Sequence, residues 1–151
     1  VGSEMCIRDS LNYLSNLSGP LRDRLDMVVT LSGQSATINA EGEESSAAIA
    51  ERVAAARDRA RARWAADGIP ARVNGAVPSS YLRRHRPASE SAMIMLSAYL
   101  AEGEISQRGI DRVLRVSWTL ADLHGSSTPD LAEVGQALDL RSSQTVGRIS
   151  A

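Results

Sequence analysis

Three arginines, Arg108, Arg112 and Arg115, recur at positions i, i+4 and i+7. On a helix that spacing sets them along one stripe, roughly opposite Ile110 and Ala121. A planar guanidinium suits phosphate oxygens, so the stripe reads as a candidate anion site. Composition alone favours the other reading, a solvated face with Asp111 and Asp122 nearby. Arg24 stands between Asp23 and Asp26 in DRLD, where it can form a local ion pair or point across a subunit interface. The run Arg83-Arg84-His85-Arg86 could contact a nucleic-acid backbone, although charge at a helix end accounts for it too.

Other chemistries find little support. His85 and His124 are far apart and lack Asp, Glu or Cys at ligand spacing, so both read as surface residues and no metal site is expected. There is no GxSxG elbow to organise Ser, His and Asp into a triad. Acidic pairs such as Glu43-Glu44 fall in loops or at helix starts, where solvation explains them. All 17 basic residues are Arg, and Lys and Phe are absent. A GC-rich genome explains both absences. Without Lys the chain cannot hold a phosphate-binding P-loop, whose Lys reaches the β/γ-phosphates. The chain by itself is therefore expected to bind no ATP.

At 151 residues, 43% hydrophobic and 23% charged, the chain fits one modest domain or the end of a larger one. A net charge of −1 argues against coating nucleic acid by bulk charge. No apolar run approaches the roughly 20 residues of a membrane span. The single cysteine, Cys6, lies in VGSEMCIRDS, which has neither the apolar run of a signal peptide nor the acid-poor composition of a transit peptide. Back-translated, those ten residues resemble the transposase adapter used to prepare sequencing libraries. Residues 1–10 are therefore expected to be non-native, with the biological chain truncated near Leu11. With Cys6 set aside there is no disulfide, which suits a cytoplasmic protein.

The elements that must position the arginines follow from local signals. LSGPLRDRLDMVVTL (17–31) reads as a helical turn capped by Ser18, with Pro20 in its first turn, running into a strand at MVVTL. Residues 32–46 form a polar loop. A helix is expected from about 46 to 66, with Ile49, Val53, Ala56, Ala60 and Trp64 on one face. Glu43 and Glu44 precede it, and Arg57 to Arg63 crowd its end as the helix dipole favours. DGIPARVNGAVP (67–78) is a loop and a subdomain boundary. A short basic helix follows at 79–86, stopped by Pro87. The next spans 89–101, with Met93, Leu96 and Leu100 on one side. The next spans 106–123, burying Ile110, Val113, Leu114, Ser117 and Ala121, with Gly125 just past its end. The last starts at Thr128-Pro129-Asp130 and buries Leu131, Val134 and Leu138. Residues 142–151 read as a tail. A lone strand cannot satisfy its own hydrogen bonds, so MVVTL requires partners that the sequence does not contain.

Four segments then carry a resemblance. YLSNLSGPLRDRLDMVV, ESSAAIAERVAAARDRARARW, ISQRGIDRVLRVSWTLADLHG and LAEVGQALDLR resemble, in order, blocks of the magnesium-chelatase-like AAA+ ATPases of the ComM/YifB type. The matches cover nearly all of 13–141. The resemblance implies a mainly α chain: the end of an AAA+ P-loop α/β core with one residual strand (11–66), a linker (67–77), and an all-α helical lid (78–141). It implies that the Walker motifs lie elsewhere in a longer bacterial parent, which binds ATP and Mg2+, forms a homo-hexamer and acts on DNA in branch migration. Residue by residue, Arg24 matches the arginine of a DRID motif that serves as an arginine finger. Arg108 matches the sensor-2 arginine that touches ATP phosphate, and Arg112 is a weaker cofactor-binding candidate. Asn16, Arg22 and Ser117-Trp118 depart from the pattern, and Trp118 stands where the family has an arginine, which argues against a phosphate or DNA role at this position. The alternatives are a magnesium chelatase ATPase subunit and a non-enzymatic helical interaction module.

Overall fold

The computed structural model describes residues 24–29 and 44–142. Residues 1–10, the loop at 32–43, the turn at 17–23 and the tail at 143–151 lie outside these. Five α-helices and one 3-10 turn make up the described body: α1 (Ser46–Ala66), the 3-10 turn (Asn74–Ala76), α2 (Ser79–His85), α3 (Glu90–Ala101), α4 (Gln107–His124) and α5 (Leu131–Ser142). The mainly α class expected from the sequence is what forms. Among the described residues no helix is long and apolar enough to cross a membrane.

Local chemistry sets the helix ends. Ser45, Ser89 and Ser106 cap α1, α3 and α4, each hydroxyl accepting from a backbone N–H three residues on. Gly125 ends α4 in the left-handed region (φ 78°), where a Cβ would be strained, and its N–H donates to Ala121 O. Before α5, Asp130 caps in place of the expected Thr128. Its N–H donates to Glu133 Oε2 at 2.9 Å, one half of a capping box, while its Oδ1 accepts from the adjacent Leu131 N–H at 2.7 Å. The helix consequently starts at Leu131, after Pro129, and burial in it starts only at Glu133 and Val134. Leu131 itself is exposed, contrary to the pattern.

The core gathers around α4. Its apolar face is the expected one, with Ile110, Val113, Leu114, Ser117 and Ala121 all buried. Trp64 of α1 meets Trp118 of α4 edge to face, with centroids 5.7 Å apart. These two indoles supply the aromatic bulk that a chain without Phe lacks. Val77, Leu82, Leu96 and Val134 complete the interior, so residues on both sides of 67–77 share one core.

Three further expectations change, two about faces and one about a strand. On α1 only Ala56, Ala60 and Trp64 are buried, while Ile49 is exposed, because the helix outruns the surface of α4. On α3 Leu96 and Ala92 are buried and Leu100 is exposed. Finally, Met27–Val29 form no strand. With no second strand among the described residues, the Val28 N–H donates instead to Leu140 O near the end of α5, at 2.9 Å.

Candidate functional site

α4 presents the three-arginine stripe, and the structure gives each arginine a different fate. Arg115 is half-buried, and its Nη2 donates to Val77 O (3.1 Å) and Ser79 Oγ (2.9 Å). It therefore binds the start of α2 rather than a ligand. Arg112 reaches away from the core to a segment more than eighty residues earlier. Its Nη1 donates to Arg24 O at 2.5 Å and to Asp26 Oδ1 at 2.9 Å. The Arg112 side chain is 11% exposed and the Asp26 side chain 59%. Arg108, in the first turn of α4, is exposed and has no partner among the described residues.

The same contacts settle part of the ambiguity at DRLD. Asp26 pairs with Arg112, not with its neighbour Arg24. The Arg24 side chain is exposed, again with no partner among the described residues. Its backbone, however, is fixed on one side by Arg112, and the segment is held on the other by the Val28–Leu140 hydrogen bond. The stripe and DRLD, distant in sequence, thus adjoin in space, with the Arg24 and Arg108 guanidinium groups exposed and without partners among the described residues. Charge-assisted bonds of the Arg112 kind are short and directional, which suits them to fixing a backbone position.

Close packing shapes the turn that carries Arg108. A Cβ on Gly109 would meet Ile105 Cγ1 at 2.4 Å and Arg141 Nε at 3.3 Å. Only glycine lets the first turn of α4 sit so close to its neighbours.

The other candidates are consumed internally. Arg83 pairs with Asp111 and Arg86 with Asp67, which leaves little of the basic cluster at 83–86 for a nucleic acid. The Arg86 guanidinium holds the Asp67 carboxyl below its ordinary value, chiefly by hydrogen bonding. Burial pushes the Tyr81 hydroxyl up, with Asp67 adding to it. His85 stacks on Tyr81 with centroids 4.8 Å apart. His124 is at the surface as expected, yet its Nδ1 lies 3.0 Å from Glu133 Oε1. That hydrogen bond, then the Asp130 N–H, lowers the Glu133 carboxyl. Trp118 is buried and its Nε1 donates to Arg86 O at 3.0 Å, so the side chain at this position faces the core and no ligand.

Sequence reasoning missed the strongest polar constellation. Arg63, grouped above with arginines at a helix end, forks onto Asp122 with bonds of 2.6 and 2.8 Å. Asp122, expected near the solvated arginine face, is 1% exposed. Asn74 joins them: its Nδ2 donates to Asp122 Oδ2 (2.9 Å) and Thr119 Oγ1 (3.1 Å), and its Oδ1 accepts from Trp64 Nε1 (2.9 Å). The Arg63 guanidinium lies 4.1 Å from the Trp118 ring centroid and 4.7 Å from that of Trp64. Arg59 adds a bond to Asp122 O at 2.7 Å. The available signal was Asp122 beside Ala121 on an otherwise apolar face, since a carboxylate there needs a partner. The constellation locks α1 onto α4, and both Asp122 carboxylate oxygens are taken by protein donors, so it is structural.

Comparison with known proteins bears on the helical body as a whole. Uncharacterized proteins of Mycobacterium tuberculosis and Mycobacterium bovis are 42% identical over 130 residues, covering 85% of this chain. The chain spans 25% of the length of these relatives. No solved structure matches it. Residues 43–141, from just before α1 to the end of α5, match the family described as magnesium chelatase, subunit ChlI C-terminal. The helical body that carries the arginine stripe is therefore a magnesium-chelatase-like C-terminal domain, and the chain belongs to that family.

Proposed function

We propose that this chain is the nucleotide-sensing helical end of a magnesium-chelatase-like AAA+ ATPase of the ComM/YifB type. In this reading the parent is a cytoplasmic homo-hexamer that hydrolyses ATP and acts on DNA. One observation carries it: Arg24 and Arg108 both face solvent without partners among the described residues, on segments that Arg112 joins. Free guanidinium groups fit an ATP phosphate, because each offers forked donors and a permanent charge. ATP with Mg2+ supplies the phosphoanhydride bond. Arg108 would hold phosphate oxygens, and Arg24 would neutralise charge on a nucleotide carried by an adjoining subunit. The Lys-free chain has no P-loop of its own, so the tight nucleotide site belongs to other parts of the parent.

The test is steady-state turnover in the full-length parent. An arginine finger typically contributes about 10³–10⁵ in rate, so Arg24→Ala should abolish turnover while sparing ATP binding. Arg108→Ala should impair turnover and nucleotide-dependent closure together. Near-normal turnover in Arg24→Ala would overturn the assignment. The description of the matched family favours one second reading, a magnesium chelatase ATPase subunit. Turnover stimulated by DNA supports the first reading, and ATP-dependent metal insertion into a porphyrin supports the second. Calorimetry on the 151-residue chain alone should show no saturable micromolar ATP binding.

A further inference from the structure

We propose that Arg112 is a positioning residue for Arg24, and that it makes Arg24 and Arg108 parts of one rigid unit. The proposal rests on the reading of Arg24 and Arg108 given above. Arg112 lies one turn along α4 from Arg108, and residues at that spacing have Cβ atoms about 5–6 Å apart. Its guanidinium bonds the carbonyl of Arg24 itself, at 2.5 Å, and the carboxylate of Asp26, at 2.9 Å. One side chain therefore grips this segment at two points, one backbone carbonyl and one carboxylate. The Val28 N–H, anchored to Leu140 O, prevents the segment from pivoting about that grip.

Three features argue that this contact positions rather than stabilises. Arg112 itself is mostly covered, with its side chain 11% exposed, whereas Asp26 is 59% exposed and Arg24 points to solvent. The bond to Arg24 is made through the carbonyl, leaving the Arg24 guanidinium available. In addition, the segment contributes no side chain to the buried core, since Leu25, Met27 and Val29 are all exposed. A segment that buries so little, yet is tied at three backbone or carboxylate atoms, is being held in place.

The consequence is mechanical. Any movement of α4 that brings Arg108 toward a phosphate carries Arg24 with it. A residue sensing one nucleotide and a residue reaching another would then be coupled without an intervening loop adjusting independently.

The experiment uses the full-length parent and two readouts. For Arg112→Ala, kcat should fall on the order of 10–100-fold, the scale of a misplaced catalytic group, with KM for ATP changed less than about twofold. Arg112→Lys should recover only part of the rate, because a more strongly hydrated ammonium on a flexible stem lacks the planar guanidinium that places Nη1 between both acceptors. The second readout is hydrogen exchange: the Val28 amide should lose protection in Arg112→Ala while Val113 and Leu114 keep theirs. Unchanged kcat together with unchanged Val28 exchange overturns the proposal. Lost Val28 protection with unchanged kcat overturns the positioning role while leaving the tether in place. If wild-type parent shows no ATPase, the functional reading fails, and the exchange result alone then decides whether the tether exists. Loss of protection across α4 as well would mark Arg112 as a structural residue and refute the proposal.

Discussion

Of the Arg–Asp pairs that meet α4 among the described residues, two do different work. Arg63–Asp122 is dry: the side chains are 11% and 2% exposed, and Asn74, Arg59 and two indoles surround them. Arg112–Asp26 is wet on its acidic side, with Asp26 59% exposed. In the first pair every oxygen of the carboxylate is occupied by protein donors. In the second the carboxylate keeps water, and the arginine shares itself with a backbone carbonyl. The contrast teaches that residue type sets what a pair can be, and burial sets what it is for. A dry pair is costly to break, because the survivor remains as an unpaired buried charge. A wet pair contributes little to stability and can be spent on placing a segment.

The largest effect should come from the dry pair. Asp122→Ala leaves Arg63 between two indoles without its counter-ion, and should cost about 3–5 kcal/mol in denaturant unfolding followed by tryptophan fluorescence. A loss near zero would erase the distinction between the pairs. A double-mutant cycle on Arg63 and Asp122 should give strong coupling, while the same cycle on Arg112 and Asp26 should give no more than about 1 kcal/mol.

Next in size is Gly109→Ala, which sharpens the comparison by disturbing α4 at the end where the wet pair lies. The added methyl meets Ile105 Cγ1 at 2.4 Å, and overpacking of that kind costs about 1–3 kcal/mol. The same variant should lower parent turnover, since it moves the turn carrying Arg108. Unchanged stability would show that Ile105 yields freely.

Acid should produce a smaller and graded effect. Asp67 and Glu133 both have carboxyls lowered in the folded state, by Arg86 and by His124 respectively. A carboxyl depressed on folding stabilises the protein above its unfolded value, about pH 4, and that contribution disappears as pH falls through the lower folded value. The melting temperature should therefore be insensitive to these two groups down to about pH 5 and fall below it. Asp67→Asn should flatten that acid limb. If it does not, the Arg86 bond adds nothing to stability.

The smallest effect belongs to the wet pair. Asp26→Asn keeps an acceptor for Arg112, and should shift unfolding by less than about 1 kcal/mol. Any effect on parent turnover should be milder than that of Arg112→Ala. A shift as large as that of Asp122→Ala would mean that burial is not what separates the two pairs.

What the sequence determined by itself was local. Helix ends were written in Ser45, Ser89, Ser106 and Gly125, and the buried face of α4 in a 3.6-residue period, because these signals act within a turn or two of the chain. The family resemblance of the last two-thirds was legible for the same reason, since contiguous motifs carried it. The tertiary structure decided which arginines were free. Arg63 meets Asp122 across 59 residues and Arg112 meets Asp26 across 86, separations at which no periodicity in either segment encodes the pairing. An arginine on a stripe looks the same in sequence whether its guanidinium is clamped, as in Arg115, tethering, as in Arg112, or open to solvent, as in Arg108. Side-chain fate depends on what the fold brings within about 3 Å, the reach of a hydrogen bond, and only packing of the helices sets that distance.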